Sequence, residues 1–225
     1  MSDAAPAEPS AEMSGSFPRF GAEQTLSAKI WGFDLCKDLP RVLSSQGVQA
    51  QRGDSQRVRT FLVREFPTLT EEALGAEPSE AVQDAKRWYL RTACDLIELQ
   101  HAGETVGAFI GAPEDWSSYY VRIFALLPRY QRPALIRRFI RECVFEPLRA
   151  ARIERVIADT SPANIAMTRC FSEQSFYCSG HQLSERWGPL IRYTHFLDPA
   201  REAAFLKRFA GTAPPGRRTR KEDTP

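Results

Sequence analysis

Around Cys94 the hydrophobic pattern changes period, and that change limits the folds open to the chain. Upstream, Val58, Phe61, Leu62 and Phe66 recur at intervals of three and four, the spacing of one helix face over residues 55–66, and Pro67 ends the run. A second helix is expected over about 78–89, entered through Glu77-Pro78-Ser79. Downstream, residues 95–100 and 105–110 flank His101-Ala-Gly-Glu and read as strand, tight turn, strand. Residues 119–127 form a third strand, ended by Pro128.

Helical spacing then returns. Ile136, Phe139, Ile140, Cys143 and Val144 make an apolar stripe over 134–146, opposite Arg137, Arg138, Arg141 and Glu142, and Pro147 weakens the final turn. Residues 153–158 read as a strand. Ser161-Pro162 supplies an N-cap and first position for a helix to about 174. Residues 181–183 and 191–197 read as closing strands around Arg186-Trp-Gly-Pro, and Asp198-Pro199 opens a terminal helix to 209. This order predicts an α/β (α+β layered) fold, a mixed central sheet with helices on both faces.

Composition narrows the function classes. Of 225 residues, 43% are apolar and 26% charged, which is globular composition. Thirty basic residues against 28 acidic ones leave +2, a field too weak to mark the chain for nucleic acid or an anionic membrane. The longest apolar runs are a few residues, against about 20 for a membrane span. Residues 1–16, MSDAAPAEPSAEMSGS, read as a disordered leader without the pattern of a secretory signal. Residues 17–210 are expected to form a single domain. Residues 211–225 read as a disordered tail whose Arg217, Arg218, Arg220 and Lys221 are solvated. Five dispersed cysteines with no C-x-x-C pair fit reduced thiols and a cytoplasmic location, and three isolated histidines give no metal spacing. Cys143 and Cys170, in helical patterns, read as buried thiols, and Gly103, Gly107 and Gly111 as turn and sheet glycines.

Two segments carry a chemical pattern. The first is Pro128-Arg-Tyr-Gln-Arg-Pro-Ala-Leu-Ile136, between a strand and a helix N-terminus, where main-chain N–H groups and the helix dipole favour an anion. The second runs from Asn164 through Phe171 to Ser175-Phe176, with Asn164 twelve positions before Phe176. In order and separation these segments resemble the motifs of the GCN5-related N-acetyltransferase (GNAT) superfamily, over roughly residues 57–197. The resemblance implies acetyl-CoA or another acyl-CoA as co-substrate, and no metal. It places the diphosphate over Gln131, Arg132, Ala134, Leu135 and Ile136. It sets the pantetheine arm against Phe124 and Leu126, whose strand would polarise the thioester carbonyl, and beside Asn164 and Phe171.

The chain departs from the family pattern at several positions. Ala134 and Ile136 stand where glycines are usual, and Pro133 removes one N–H donor. Phe171 replaces a tyrosine that commonly protonates the leaving thiolate, and Ser175 replaces a glycine. The strand over 123–127 lacks the frequent glutamate base. Glu98, His195 and His181 are the alternative bases, and Tyr193, Tyr130 or Tyr177 the alternative acids, with water serving for either. Plain structural roles fit the same residues: Glu98 on the solvent face of a strand, His195 on an alternating one. Trp116, Tyr119 and Tyr120 fit core packing or an acyl or acceptor pocket.

The function implied is transfer of an acetyl or other acyl group to the amine of a small molecule by direct attack. Two alternatives stay open: an acyl-carrier-protein-dependent long-chain acyltransferase, with the arginines over 129–141 facing an acidic carrier, and a non-catalytic ligand- or partner-binding module. Homodimerisation is left open.

Overall fold

Strands with apolar residues on both faces require cover on both sides. The computed structural model describes residues 25–44, 47–70, 79–184 and 187–209. They build one mixed sheet from β1 (Arg41–Val42), β2 (Gln49–Arg52), β3 (Asp95–His101), β4 (Glu104–Pro113), β5 (Ser118–Leu126), β6 (Arg155–Thr160), β7 (Tyr177–Ser184) and β8 (Gly188–Phe196). Their order across the sheet is β1-β2-β3-β4-β5-β6-β8-β7. Only β5 and β6 pair in parallel; every other neighbouring pair is antiparallel.

The helices are α1 (Leu26–Trp31), α2 (Ser55–Glu65), α3 (Pro67–Thr70), α4 (Glu80–Thr92), α5 (Pro133–Phe139), α6 (Glu146–Ala150), α7 (Ile165–Glu173) and α8 (Pro199–Arg208). On one face Leu135, Phe139, Val144, Leu148 and Phe171 pack on Val106, Phe109, Tyr119, Val156 and Tyr193. On the other, Val58, Phe61 and Leu62 of α2 pack on Leu96, Ala108, Ile110 and Ala125. The β3–β4 hairpin turns through Ala102 and Gly103 at φ of 51° and 83°, the left-handed pair a two-residue type I′ turn demands. Gly111 lies against Tyr119, where a Cβ would sit 2.5 Å from the phenol oxygen.

Several sequence expectations need correction. The helix expected over 134–146 runs on through Pro147 to Ala150, because Ile140–Phe145 winds as a π-helix in which Glu146 N–H reaches back five residues to Arg141 O. This local rewinding carries the helix past a proline that lacks the N–H for a regular i−4 bond. α7 begins at Ile165, capped by the Asn164 side chain on Met167 N–H at 3.2 Å, while Ser161 Oγ accepts from Ala163 N–H in the preceding turn. α4 reaches Thr92, and α1, β1 and β2 were not expected. The proposed leader and tail, Glu77, Pro78 and Arg186 lie outside the described residues.

Candidate functional site

The parallel β5–β6 ladder is short. Register partners run from Ser118↔Arg155 to Val121↔Ala158 and stop, although β5 continues to Leu126 and β6 to Thr160. The divergence coincides with a bulge: on the β4 side Ile110 pairs with Ile123 and Gly111 with Val121, leaving Arg122 as an extra residue in β5. A bulged strand bends and twists more strongly. The bulge also resets parity, so Tyr119 and Val121 face the α5–α7 layer before it, and Phe124 and Leu126 after it.

This splay leaves part of β5 without a ladder. Leu127 N–H donates to Val106 O of β4 at 3.0 Å, so alternation turns the main-chain groups of Phe124 and Leu126 toward the gap. No described strand pairs with them there. Gln131 Nε2 donates to Leu126 O at 2.7 Å, which leaves Phe124 N–H, Phe124 C=O and Leu126 N–H facing the opening.

A cavity of about 160 Å³ occupies the divergence. Val121, Phe124, Ala158, Asn164, Met167 and Phe171 line it, with Ile140, Val144 and Phe145 of the π-helix on the same side. Phe124 stacks on Phe139 at 5.1 Å, and Phe171 meets Phe176 at 4.8 Å, so aromatic packing fixes the walls. Asn164 spends its Oδ1 on the α7 cap, and among the described residues nothing takes up its Nδ2 donor at the cavity edge.

The opposite sheet face is polar beside the same point. Asp159, with a side chain only 2% exposed, accepts from Tyr120 Oη at 3.0 Å, from Gln182 Nε2 at 2.9 Å and from Arg192 through Nε at 3.0 Å and Nη2 at 3.1 Å. Arg192 Nη1 also meets Glu114 at 3.0 Å. Burial, reinforced by the Asp159 charge, pushes the Tyr120 phenol up to about 12, so at neutral pH it is a donor. The sequence reading left this cluster out. Its one local signal is a charged residue, Asp159, directly after an apolar strand run.

The residues expected around the diphosphate sit at the α5 N-terminus, just beyond the parting end of β5, and do not line the cavity. Ile136 N–H is already bonded to Arg132 O at 3.1 Å. Pro133 has no N–H, so the first turn offers the N–H groups of Ala134 and Leu135. Gln131 acts through its bond to Leu126. Arg129 lies 3.9 Å from Glu104, Arg137 pairs with Glu173 at 3.4 Å, and Arg138 and Arg141 both pair with Glu142.

The expected acid–base residues do not gather at the cavity. Glu98 is fully buried, accepting from Asp54 N–H at 3.0 Å, Gln100 Nε2 at 3.0 Å and the Arg57 guanidinium at 2.9 Å. It therefore ties the start of α2 to β3, and it stands on no solvent face. His195 stacks on Phe145 at 4.0 Å, one ring layer behind the cavity wall. Burial lowers its pKa to about 4; the nearby main chain of Ser175 and Gln174 offsets part of this, and neither ring nitrogen completes a hydrogen bond among the described residues. Tyr193 is buried with its ring 4.9 Å from Phe171. Tyr130 bonds His101, Tyr177 bonds Glu202, and His181 is exposed on β7, an edge strand. Burial raises the Cys143 thiol to about 12, too high for a neutral-pH nucleophile, and raises that of Cys170 as well. The aromatic cluster divides: Tyr119 is wholly buried, Tyr120 joins the polar network, and Trp116 is exposed.

No family model and no curated protein matches the chain. Solved structures do. An acetyl transferase from Salmonella typhimurium that modifies the N-terminal serine of a 50S ribosomal subunit protein is similar at 14% identity and TM-score 0.52, covering 69% of this chain and 98% of its own. The protein yncA of Salmonella typhimurium, with its cofactor acetyl-CoA, is similar at 14% identity and TM-score 0.50, over 67% and 94%. A ribosomal-protein-alanine N-acetyltransferase from Escherichia coli gives 12% identity and TM-score 0.50, over 67% and 94%. The chain has the fold of the GNAT acetyltransferases.

Proposed function

We propose that the protein is an N-acyltransferase that moves an acyl group from acyl-CoA to an amine, with a small molecule as acceptor. The observation that carries this reading is the unladdered edge of β5 beside an apolar cavity. Phe124 and Leu126 offer donors and an acceptor in the spacing of a strand, which suits the amides of a pantetheine arm laid along them. The Asn164 amide stands ready for the same arm, and donors already fixed along an apolar groove are suited to a carbonyl oxygen gaining charge.

The two faces divide the work. The apolar side, with Val144, Phe145 and Phe171, suits the acyl group. The polar side, with Tyr120, Asp159 and Arg192, suits approach of the amine. The amine nitrogen attacks the thioester carbon, the new C–N bond replaces C–S, the ammonium proton passes to water, and the thiolate takes a proton from solvent. Phe171 has no proton to give, and the Asp159 oxygens are already engaged, so ordered water is the proton carrier in this reading. The net charge of +2 supports a small acceptor over a polyanion.

A carrier-protein donor is the second reading, favoured by the reduced anion cradle, since two free N–H groups suit one phosphate better than a diphosphate. Pairing of the arginines with Glu104, Glu142 and Glu173 leaves less charge for an acidic carrier surface. Thermal melts with acetyl-CoA, free CoA and an acyl-loaded carrier test the donor, because a ligand of the folded state raises the melting point. Thiol release with panels of small amines and peptides then tests turnover and acceptor. A melting point indifferent to every donor would remove the reading.

A further inference from the structure

The Tyr120–Asp159 hydrogen bond crosses from β5 to β6 at the point where the two strands part. Tyr120 is the register partner of Ile157, yet its phenol reaches two residues further, to the first residue of β6 that has no β5 partner. Asp159 is held in turn by Arg192, its own register partner on β8, by Gln182 of β7, and through Arg192 by Glu114 of the β4–β5 loop. Side chains from β5, β7 and β8 therefore converge on one β6 carboxylate that lines the cavity, and the β4–β5 loop braces Arg192.

We infer that Tyr120, Asp159 and Arg192 form a pin that fixes where the β5–β6 splay begins, and so sets how deep an acyl group can enter. They are positioning residues; this rests on the proposed acyl-CoA reading. Three observations support it. The main-chain ladder ends at Val121↔Ala158, so beyond that pair no β-ladder holds the strands together. The bulge at Arg122 bends β5 at that position, where its pairing with β6 stops. The pin lies on the polar face, opposite Val144 and Phe145, so it bounds the cavity without filling it. Opening the ladder by one residue would deepen the cavity by about 3.3 Å, room for about two more methylene groups.

The test is a set of dissociation constants for acetyl-, butanoyl- and hexanoyl-CoA, measured by titration calorimetry on the full chain. Tyr120→Phe removes the hydroxyl and keeps the ring. Thr194→Val is the control: it removes a cross-strand side-chain hydrogen bond to Ser179, at 2.8 Å, on β7–β8. The pin predicts that Tyr120→Phe shifts the hexanoyl-to-acetyl affinity ratio toward the longer chain by about tenfold, the factor for one charge-assisted hydrogen bond. Thr194→Val should keep the wild-type ratio. A uniform loss of affinity across chain lengths, or an unchanged ratio in Tyr120→Phe, overturns the inference while leaving the acyl-CoA reading in place. Failure of the wild-type chain to bind any of the three thioesters overturns that reading and the pin with it.

Discussion

His195 supplies a prediction whose size follows from its surroundings. The imidazole is packed on Phe145 and Phe176, and burial lowers its pKa from 6.5 to about 4. Between those values the unfolded chain carries a proton on this side chain that the folded chain does not. Stability therefore rises with pH across the window, is fully present above about pH 6.5, and is lost as pH falls toward 4. The gap, at about 1.4 kcal/mol per unit, amounts to about 3 kcal/mol. The perturbation is His195→Phe, which keeps a ring on Phe145 and removes the titration. Urea unfolding from pH 7.5 to pH 4 should show wild type losing about 3 kcal/mol more than the variant. Asp95, whose carboxyl burial pushes upward, contributes with the opposite sign, but equally in both proteins, so it cancels from the difference. Parallel pH profiles would refute the reasoning, because they would mean that the folded protein accommodates the imidazolium.

Other substitutions test the scaffold and the cavity. Gly111→Ala drives a methyl against the Tyr119 ring and should cost about 1–3 kcal/mol in urea unfolding, with no change in the unfolding slope. Asn164→Ala should lose about 1 kcal/mol of α7 capping and also weaken acetyl-CoA binding. Asn164→Asp keeps a capping oxygen but has no amide donor, so stability should hold while affinity falls; equal affinity for that variant and wild type would remove Asn164 from the donor site.

The parts of the fold that were legible in the sequence are those whose signals are local. The β3–β4 hairpin is announced by His101-Ala-Gly-Glu, the α2 stripe by Val58, Phe61 and Leu62, and the α8 start by Asp198-Pro199. β1 and β2 are two and four residues long, and Gln49-Ala-Gln-Arg52 is too polar and brief for periodicity to register. The π-helix was hidden because Pro147 reads as a terminator, and only the packing of Val144, Phe145 and Leu148 makes the rewinding worthwhile. Ser161 and Asn164 are both good caps, and their competition is settled three residues downstream at Met167. Glu98 looked like a solvent-facing residue because its strand gives no sign that Arg57 and Asp54 will cover it. At the candidate site, Asn164 and Phe171, singled out by their motif, and Phe124, singled out by the place of its strand, line one cavity. Tyr120, Asp159 and Arg192 lie 39 and 33 positions apart, so only tertiary structure brings them together.

On the proposed function, the open edge of β5 receives a thioester arm. A crystal structure of the protein with acetyl-CoA tests it directly. Pantetheine amides should be hydrogen-bonded to the main chain of Phe124 and Leu126, in the gap bounded by Asn164 and Phe171. Cofactor density elsewhere on the surface, or a β5–β6 ladder continuing past Val121 and Ala158 to close the gap, would contradict it.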